Sequence, residues 1–399
     1  MMGEHMVPMM SQHHHLSDQM VYDILSRLPV KSIIRFRYVS KSWNSIVTDP
    51  YFKLNQAKSL SNNSHNGYVI YTKYPQKYIP CLQYPQVKVE DLCTVVCNSD
   101  NTLTEVSRIE IPCLYEPIVG FCNGLFILAS PSPMEHSFQH IYLWNPIIRK
   151  FMRVASILGQ PSTSSVTLGF AYHPRKNDFK ILRLVCFKNE GKLLPAKAEA
   201  EAEVYTLSTA SWRKFSVSVD SLSGLTIYRI SESPSLFFNG ALHSIAFTRD
   251  YKFILSFDVD DERFREIRLP QNYLVGVSLR REWLTILKGS LALIVIGDAQ
   301  IDWSGVCHIW VMTEYGVAKS WTKKCVPMDK HAKFLSCTIN GELLIRRYDL
   351  KVRIVSFDPE SLKEEVLRIP DPRDVIYTTN FVESLVLLDG LSNESYSLG

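Results

Sequence analysis

The sequence predicts a mainly β protein with a small N-terminal α part: three short helices, then a six- or seven-bladed β-propeller-like repeat domain. Three observations carry this reading. Apolar residues recur at helical spacing only between Leu16 and Ala57. From residue 67 to residue 399, short runs rich in β-branched and aromatic residues alternate with turn residues. Along that second stretch, a glycine turn leading into an apolar strand returns at intervals suited to a repeating unit.

Residues 1–15, MMGEHMVPMMSQHHH, are Met-rich and polar without periodicity and are expected to form a disordered tail. His13, His14 and His15 could chelate, but they lie in this tail without a ligand set around them, so no metal site is expected. A helix follows, with Leu16, Met20, Val21, Ile24, Leu25 and Leu28 three or four apart and Ser17 placed to cap it. Pro29 ends it, because proline lacks a backbone donor and disfavours helical geometry in its predecessor. Val30, Ile33, Ile34, Phe36 and Val39 form a second apolar set. Ser40 then caps a third short helix carrying Trp43, Ile46 and Val47, closed by Asp49-Pro50. A helical unit over residues 16–57 cannot bury its own apolar faces well, so it needs a partner surface. Arg27, Lys31, Arg35, Arg37, Lys41 and Lys53 outnumber Asp18, Asp23 and Asp49 by six to three, a net +3 that suits either an acidic partner or an ordinary solvated surface. Residues 58–66 are polar and read as a linker.

The repeat domain, residues 67–399, shows two recurring signatures. The first is Asn66-Gly67-Tyr68, Asn123-Gly124-Leu125, Asn239-Gly240-Ala241, Lys288-Gly289-Ser290 and Asn340-Gly341-Glu342, at spacings of 57, 116, 49 and 52 residues. The wide gap reads as two units, with Asn177-Asp178 before Phe179 supplying the missing turn, and Glu383-Ser384-Leu385-Val386 reads as a degenerate last copy. The second signature is a strand, a turn and an aromatic or apolar residue: Trp144 with Phe151, Tyr205 with Trp212, Phe257 with Phe264, Trp310 with Trp321, and Phe357 with Val366. A unit of roughly 45 to 60 residues with several antiparallel strands suits a propeller blade, and circular closure protects its edges. Closure is expected to set Tyr68 to Tyr71 beside Leu385 to Leu388. A stacked β-sandwich is the competing architecture.

Composition excludes several classes. A net charge of +4, from 44 basic and 40 acidic residues, gives no general pull toward nucleic acid or membrane. Apolar runs such as Leu291 to Ile296 fall far short of the about 20 residues a membrane-spanning helix needs. The start of the chain does not read as a secretory signal, so a cytoplasmic or nuclear location is expected, and Asn62-Asn63-Ser64 and Asn393-Glu394-Ser395 are chance matches to the glycosylation pattern. Nine cysteines, an odd number without paired CxxC spacing, argue against a disulfide framework and a structural zinc site, and most read as small buried hydrophobes. No phosphate-cradling loop, HExxH, GxSxG or kinase motif set occurs, and no catalytic, cofactor-binding or metal-ligating residue is assigned. Trp144, Trp212, Trp310 and Trp321 recur beside turns, which favours packing within blades over ligand stacking. Lys188 to Glu203, KNEGKLLPAKAEAEAE, reads as a charged loop between strands.

Leu16 to Ala57 resembles the F-box of the large plant F-box family, through Ile24-Leu25-Ser26-Arg27-Leu28-Pro29-Val30-Lys31-Ser32, Arg35-Phe36-Arg37, Val39-Ser40-Lys41-Ser42-Trp43 and Asp49-Pro50. It departs from the family at Ser17, where proline is common. Gly120-Phe121-Cys122-Asn123-Gly124, Leu143-Trp144-Asn145-Pro146, Gly169-Phe170, Glu203-Val204-Tyr205-Thr206-Leu207 and Phe238-Asn239-Gly240-Ala241-Leu242-His243 resemble the kelch-like F-box-associated domain. The ending Phe381 to Leu388 is similar to that of rose-family F-box proteins, including S-locus types. The resemblance implies a non-catalytic substrate receptor of an SCF-type ubiquitin ligase. Its F-box would bind a Skp-type adaptor, and through it a cullin scaffold, with contacts on Leu16, Ile24, Leu25, Leu28, Pro29, Val30, Ile33 and Ile34. The β domain would hold an unidentified protein target. The alternative is a stand-alone propeller enzyme or glycan-binding protein.

Overall fold

The computed structural model describes residues 16–53, 55–56, 68–73, 92–99, 102–110, 118–131, 138–154, 164–187, 200–219, 221, 226–231, 233–300, 304–348, 351–367, 369, 375–381 and 383–387. The tail with its three histidines, the linker, both glycosylation patterns, the Asn66-Gly67 turn and residues 188–199 lie outside them.

Capping chemistry sets the helices. Ser17 Oγ accepts the Met20 N–H at 3.3 Å to start α1 (Asp18–Ser26), and α2 (Val30–Phe36) begins directly after Pro29. Ser40 Oγ accepts the Trp43 N–H at 3.1 Å to start α3 (Lys41–Thr48). Asp49-Pro50 ends α3 as expected but also opens a further helical turn, which the sequence reading omitted. Residues 50–53 and 55–56 are helical, and Asp49 Oδ1 accepts the Phe52 N–H at 3.0 Å. Pro50 fits the first helical position, where a missing N–H leaves nothing unpaired.

The rest is β. Strands β1 (Tyr68–Lys73), β2 (Leu92–Ser99) and β3 (Thr102–Glu110) belong to a sheet finished only at the far end of the chain. Four sheets then form in chain order. They are β4 (Ile118–Cys122), β5 (Leu125–Pro131), β6 (Phe138–Asn145) and β7 (Lys150–Val154); then β8 (Ser164–His173), β9 (Asp178–Phe187), β10 (Glu201–Thr206) and β11 (Ser211–Ser216). The next contains β12 (Arg229–Ile230) and β13 (Leu236–Phe238), both paired to β14 (Ala241–Phe247), then β15 (Lys252–Asp258) and β16 (Phe264–Arg268). The last of the four holds β17 (Val277–Leu287), β18 (Ser290–Ala299), β19 (Gly305–Met312) and β20 (Trp321–Pro327). A fifth follows with β21 (Lys333–Cys337), β22 (Leu343–Tyr348), β23 (Val352–Phe357) and β24 (Glu364–Leu367), and β25 (Val375–Phe381) then pairs with β1 to complete the first. The described residues thus form six antiparallel sheets, the blades of a propeller, which removes the sandwich alternative and the seventh blade.

Each blade's first strand touches the first strand of the next, from β4 to β8 and onward to β25. Near the axis the approach is close. A Cβ on Gly169 would sit 2.9 Å from Ser235 Cβ, so the Gly-Phe pairs of the sequence mark places where only hydrogen fits between neighbouring first strands. The apolar core lies in the seams: Leu168, Phe170 and Ile181 pack against Leu125, Ile127 and Leu143 of the preceding blade, and Ile294, Ile296 and Ile309 against Phe334, Leu343 and Ile345 of the following one. A second strand such as β18 is therefore buried on both faces, which explains the unbroken apolar run Leu291 to Ile296. The fourth strand β11 lies at the rim and is mostly exposed.

The turn signatures have a direct conformational cause. Asn123-Gly124, Asn239-Gly240 and Lys288-Gly289 have φ values of 46° and 79°, 48° and 74°, and 49° and 77°. Positive φ at both central residues is the two-residue hairpin geometry, and glycine takes it without strain. The second signature pairs across the outer hairpin in three copies, where Trp144 faces Phe151, Tyr205 faces Trp212 and Phe257 faces Phe264; in the other two Trp310 faces Lys323 and Phe357 faces Glu364, so Trp321 and Val366 are not their partners. Trp321 departs from the within-blade reading, because its Nε1–H donates to the Arg268 carbonyl of the preceding blade at 3.0 Å.

Two assignments are corrected. The partner of the N-terminal strand is Val375–Phe381, not Leu385 to Leu388, and residues 383–385 follow as non-strand chain. The charged segment does not remain a loop up to Glu203. From Glu201 it is β10, and the fully buried Glu203 receives Arg183 at 2.5 Å and Lys214 at 2.9 Å. Strand alternation was hidden there by the Ala-Glu composition, whose acid is tolerated inside only because two cations meet it. Cys122, Cys186, Cys307 and Cys337 are buried while Cys325 is exposed, and burial pushes the Cys122, Cys186 and Cys337 thiols up to about 12.

A buried histidine ties two blades. The His243 Nδ1–H donates to the Leu236 carbonyl at 3.1 Å, which leaves Nε2 to accept the Tyr315 hydroxyl of the next blade at 2.7 Å. Burial lowers its pKa from 6.5 to about 4. In the unfolded chain the imidazole binds its proton near 6.5, so stability is full above that pH and falls as pH drops toward 4, by about 1.4 kcal/mol per unit. Denaturant unfolding across this window is expected to show that decline, and His243→Gln to flatten it. A second expectation concerns Gly240, where an added Cβ meets nothing within 4 Å but φ is +74°. Gly240→Ala should lower stability by about 1 kcal/mol, read from the urea midpoint at constant slope.

Candidate protein-docking site

The helical unit has a closed interior and an open exterior. Val21, Leu25, Val30, Ile33, Val47 and Phe52 are all buried, with the Phe52 ring edge-on to Tyr22 at 5.2 Å. The interior is completed from the propeller: Leu385, fully buried, enters it together with half-buried Ile147 and Ile148. Outside stand Leu16, Met20, Ile24, Phe36, Tyr38, Val39 and Tyr51, each between 37% and 79% exposed.

The eight expected adaptor contacts are divided by this geometry. Leu16, Ile24 and Pro29 face outward, Leu28 and Ile34 are half-buried, and Leu25, Val30 and Ile33 present no surface because the chain encloses them. Adjacent apolar pairs such as Met20-Val21 and Ile24-Leu25 lie about 100° apart around a helix, so one member looks in and the other out. Spacing alone did not separate the two sides. Met20, Phe36, Tyr38, Val39 and Tyr51 were missed as surface candidates; the signal was an apolar stripe wider than one interior needs.

Charge follows the same division. Arg27, Lys31, Arg35 and Lys41 are exposed. The acids are engaged locally: Asp18 accepts from Ser42 at 3.1 Å, Asp23 from Gln19 at 3.0 Å, and Asp49 caps the last turn. The rim of the apolar patch is therefore basic.

A clasp holds this unit on the propeller. The β6–β7 turn and residues 383–387 meet through Asn145, which is fully buried. Its Nδ2 donates to the carbonyls of Ser384 at 2.9 Å and Val386 at 2.8 Å, while Oδ1 accepts the Ile147 N–H at 3.1 Å. The segment so held carries Leu385 into the helical interior and lets Glu383 accept the Val30 N–H at 2.9 Å, at the start of α2 where Pro29 supplies no side-chain cap. Glu383 to Val386, read from the sequence as a last blade strand, is this connection.

Topology then sorts the surfaces. In a four-stranded antiparallel blade, the first and third turns share one end, and the middle turn and the link to the next blade share the other. The clasp uses a third turn, 146–149, and the chain enters at Tyr68 opposite Phe381, where it leaves. All of these lie at the tight-turn end. The opposite end carries the blade-to-blade links and middle loops, among them 248–251, 269–276, 328–332 and residues 300 and 304. Among the described residues no group of three His, Cys, Asp or Glu could hold a metal ion, and no helix is long and apolar enough to cross a membrane.

A helical unit with an open apolar face is thus clasped to one end of a propeller whose blade-to-blade links lie at the other. The F-box domain family matches residues 14–55 and the F-box associated beta propeller domain family residues 102–384; the chain belongs to this family of F-box proteins. An F-box/kelch-repeat protein of Arabidopsis thaliana is 28% identical, with 78% of this chain and 79% of that one aligned. The F-box protein CPR1 of the same plant is 27% identical over 92% of this chain and 87% of its own. An exo-beta-1,3-galactanase of Phanerochaete chrysosporium overlaps 65% of this chain and 60% of its own at 9% identity, with a TM-score of 0.35 that carries no argument about function.

Asn145→Ala is expected to cost about 2 kcal/mol, because the carbonyls of Ser384 and Val386, one buried and one partly so, lose their donor. Hydrogen exchange should quicken in 383–387 and at the start of α2 while the central blade strands keep their protection.

Proposed function

We propose that this F-box protein is the substrate-receptor subunit of an SCF-type E3 ubiquitin ligase. Its F-box binds a Skp-type adaptor and through it a cullin scaffold, and its propeller recruits a protein target for ubiquitination and degradation. The observation that supports this best is the apolar patch left open on the F-box after the propeller has completed its interior. A patch of that kind on a folded domain marks a binding surface, and its basic rim suits an acidic partner. The contacts then fall on Leu16, Met20, Ile24, Phe36 and Val39, with the half-buried Leu28 and Ile34 beneath.

The loops at the opposite end carry the target. The chain's contribution is positional: it holds target lysines near a thioester-linked ubiquitin and raises their effective concentration, while bond-making groups belong to other subunits. The site of action is the cytoplasm or nucleus.

Ile24→Asp tests the reading cleanly, because Ile24 is 47% exposed and the substitution leaves the interior untouched. Titration with a purified plant Skp-type adaptor should show a loss of about 100-fold in affinity with the propeller's thermal unfolding unchanged. Unaltered binding would remove the proposed adaptor surface.

A further inference from the structure

A cavity of about 650 Å³ opens between the blade of β14–β16 and that of β17–β20, lined by residues 251–252, 268–270, 272–275 and 300. Every one of these lies in a middle loop, in a blade-to-blade link or at the strand end beside it, so the cavity is on the face away from the F-box. Its floor is made by Leu269 and Tyr273, both nearly buried, and half-buried Leu274 and strongly exposed Val275 form a wall.

The site is held in shape before any ligand arrives. The link 269–276 turns through Asn272 at φ 53° and Gly276 at φ 85°. The Gly276 carbonyl accepts the Gln300 N–H at 3.1 Å, and the Arg268 carbonyl accepts Trp321. Below, Glu282 uses one oxygen for Lys252 at 2.9 Å and the other for the Tyr273 hydroxyl at 3.2 Å.

Three polar groups at the mouth are unspent. Arg268 is 73% exposed and meets Glu266 only through Nε, at 3.4 Å, so its two terminal nitrogens have no partner among the described residues. The side-chain amides of Asn272 and Gln300 are exposed and likewise without a partner among the described residues. A guanidinium fork reads a carboxylate, and paired amides both donate to and accept from a peptide backbone. Of the two cations in the lining, Lys252 is taken up by Glu282, whereas Arg268 stands 73% exposed beside Glu266 and turns its fork to the mouth, where it can take one carboxylate.

We propose that this cavity binds an extended peptide segment of the target in which a bulky apolar side chain stands beside a carboxylate. The apolar side chain fills the space over Leu269, Tyr273 and Leu274, the carboxylate meets Arg268, and Asn272 and Gln300 take the backbone. This rests on the receptor reading and names the class of target it would select.

The test uses the full chain with its Skp-type adaptor and two sets of blocked nine-residue peptides. Each carries a central Leu or Phe, followed by Glu in one set and Gln in the other. The Glu set should bind about tenfold tighter, and Arg268→Gln, which keeps the carbonyl bonded to Trp321, should erase the difference. Equal binding of the two sets, no binding of either, a Glu preference that survives Arg268→Gln, or tighter binding of phosphoserine in place of Glu would each overturn the inference. Adaptor capture is scored in the same preparation. Capture without peptide binding removes the pocket inference alone. Failure of capture removes the receptor reading, and peptide binding by the free full chain then still decides the pocket.

Discussion

Hydrogen bonds between Tyr68–Lys73 and Val375–Phe381 join the two ends of the repeat domain in one ladder, and the placement of every surface follows from that pairing. A propeller without it would expose the edges of β1 and β25 as templates for other chains. Because the closing blade takes its innermost strand from the C-terminus and three from the N-terminal side, the chain enters and leaves at the same end. The F-box that precedes the entry and the segment that follows the exit must therefore meet. Asn145 makes that meeting specific, and Leu385 turns a small helical unit with too little interior into one that is closed.

Much of this was legible because it depends on local chemistry. Ser17 and Ser40 announced helix starts through their side-chain oxygens, and the Asn-Gly turns announced hairpins through the φ values that only a few residues take easily. The blade count narrowed to six only through pairing, since the signatures do not say which strand closes the ring. Leu385 was read as a strand residue because an apolar run looks the same whether it pairs in a sheet or plugs a helical interior. Glu203 was read as loop because a buried acid is invisible until Arg183 and Lys214 are brought to it. In the F-box, Leu25 and Ile24 are neighbours in sequence and opposites in role, and only packing against Leu385 distinguishes them.

The functional consequence is geometric. A receptor that works by proximity gains only if its two surfaces keep a fixed relation, since a freely swinging link dilutes the effective concentration of the target. Here the buried Asn145 amide bonded to Ser384 and Val386, a carboxylate on the first free N–H of α2 and three apolar side chains hold the joint between F-box and propeller. The open apolar face of the F-box and the loop face thus point from opposite ends of one body, so the loops can vary without disturbing the helical unit.

The rigidity of that joint is the central claim, and a distance distribution tests it most directly. Spin labels placed through non-canonical amino acids at exposed Asp23 on α1 and exposed Lys319 in the β19–β20 turn report across the joint by pulsed electron resonance. The account predicts one narrow distribution in the wild-type chain that broadens in the Asn145→Ala variant. A broad distribution in the wild type, unchanged by that substitution, would contradict it.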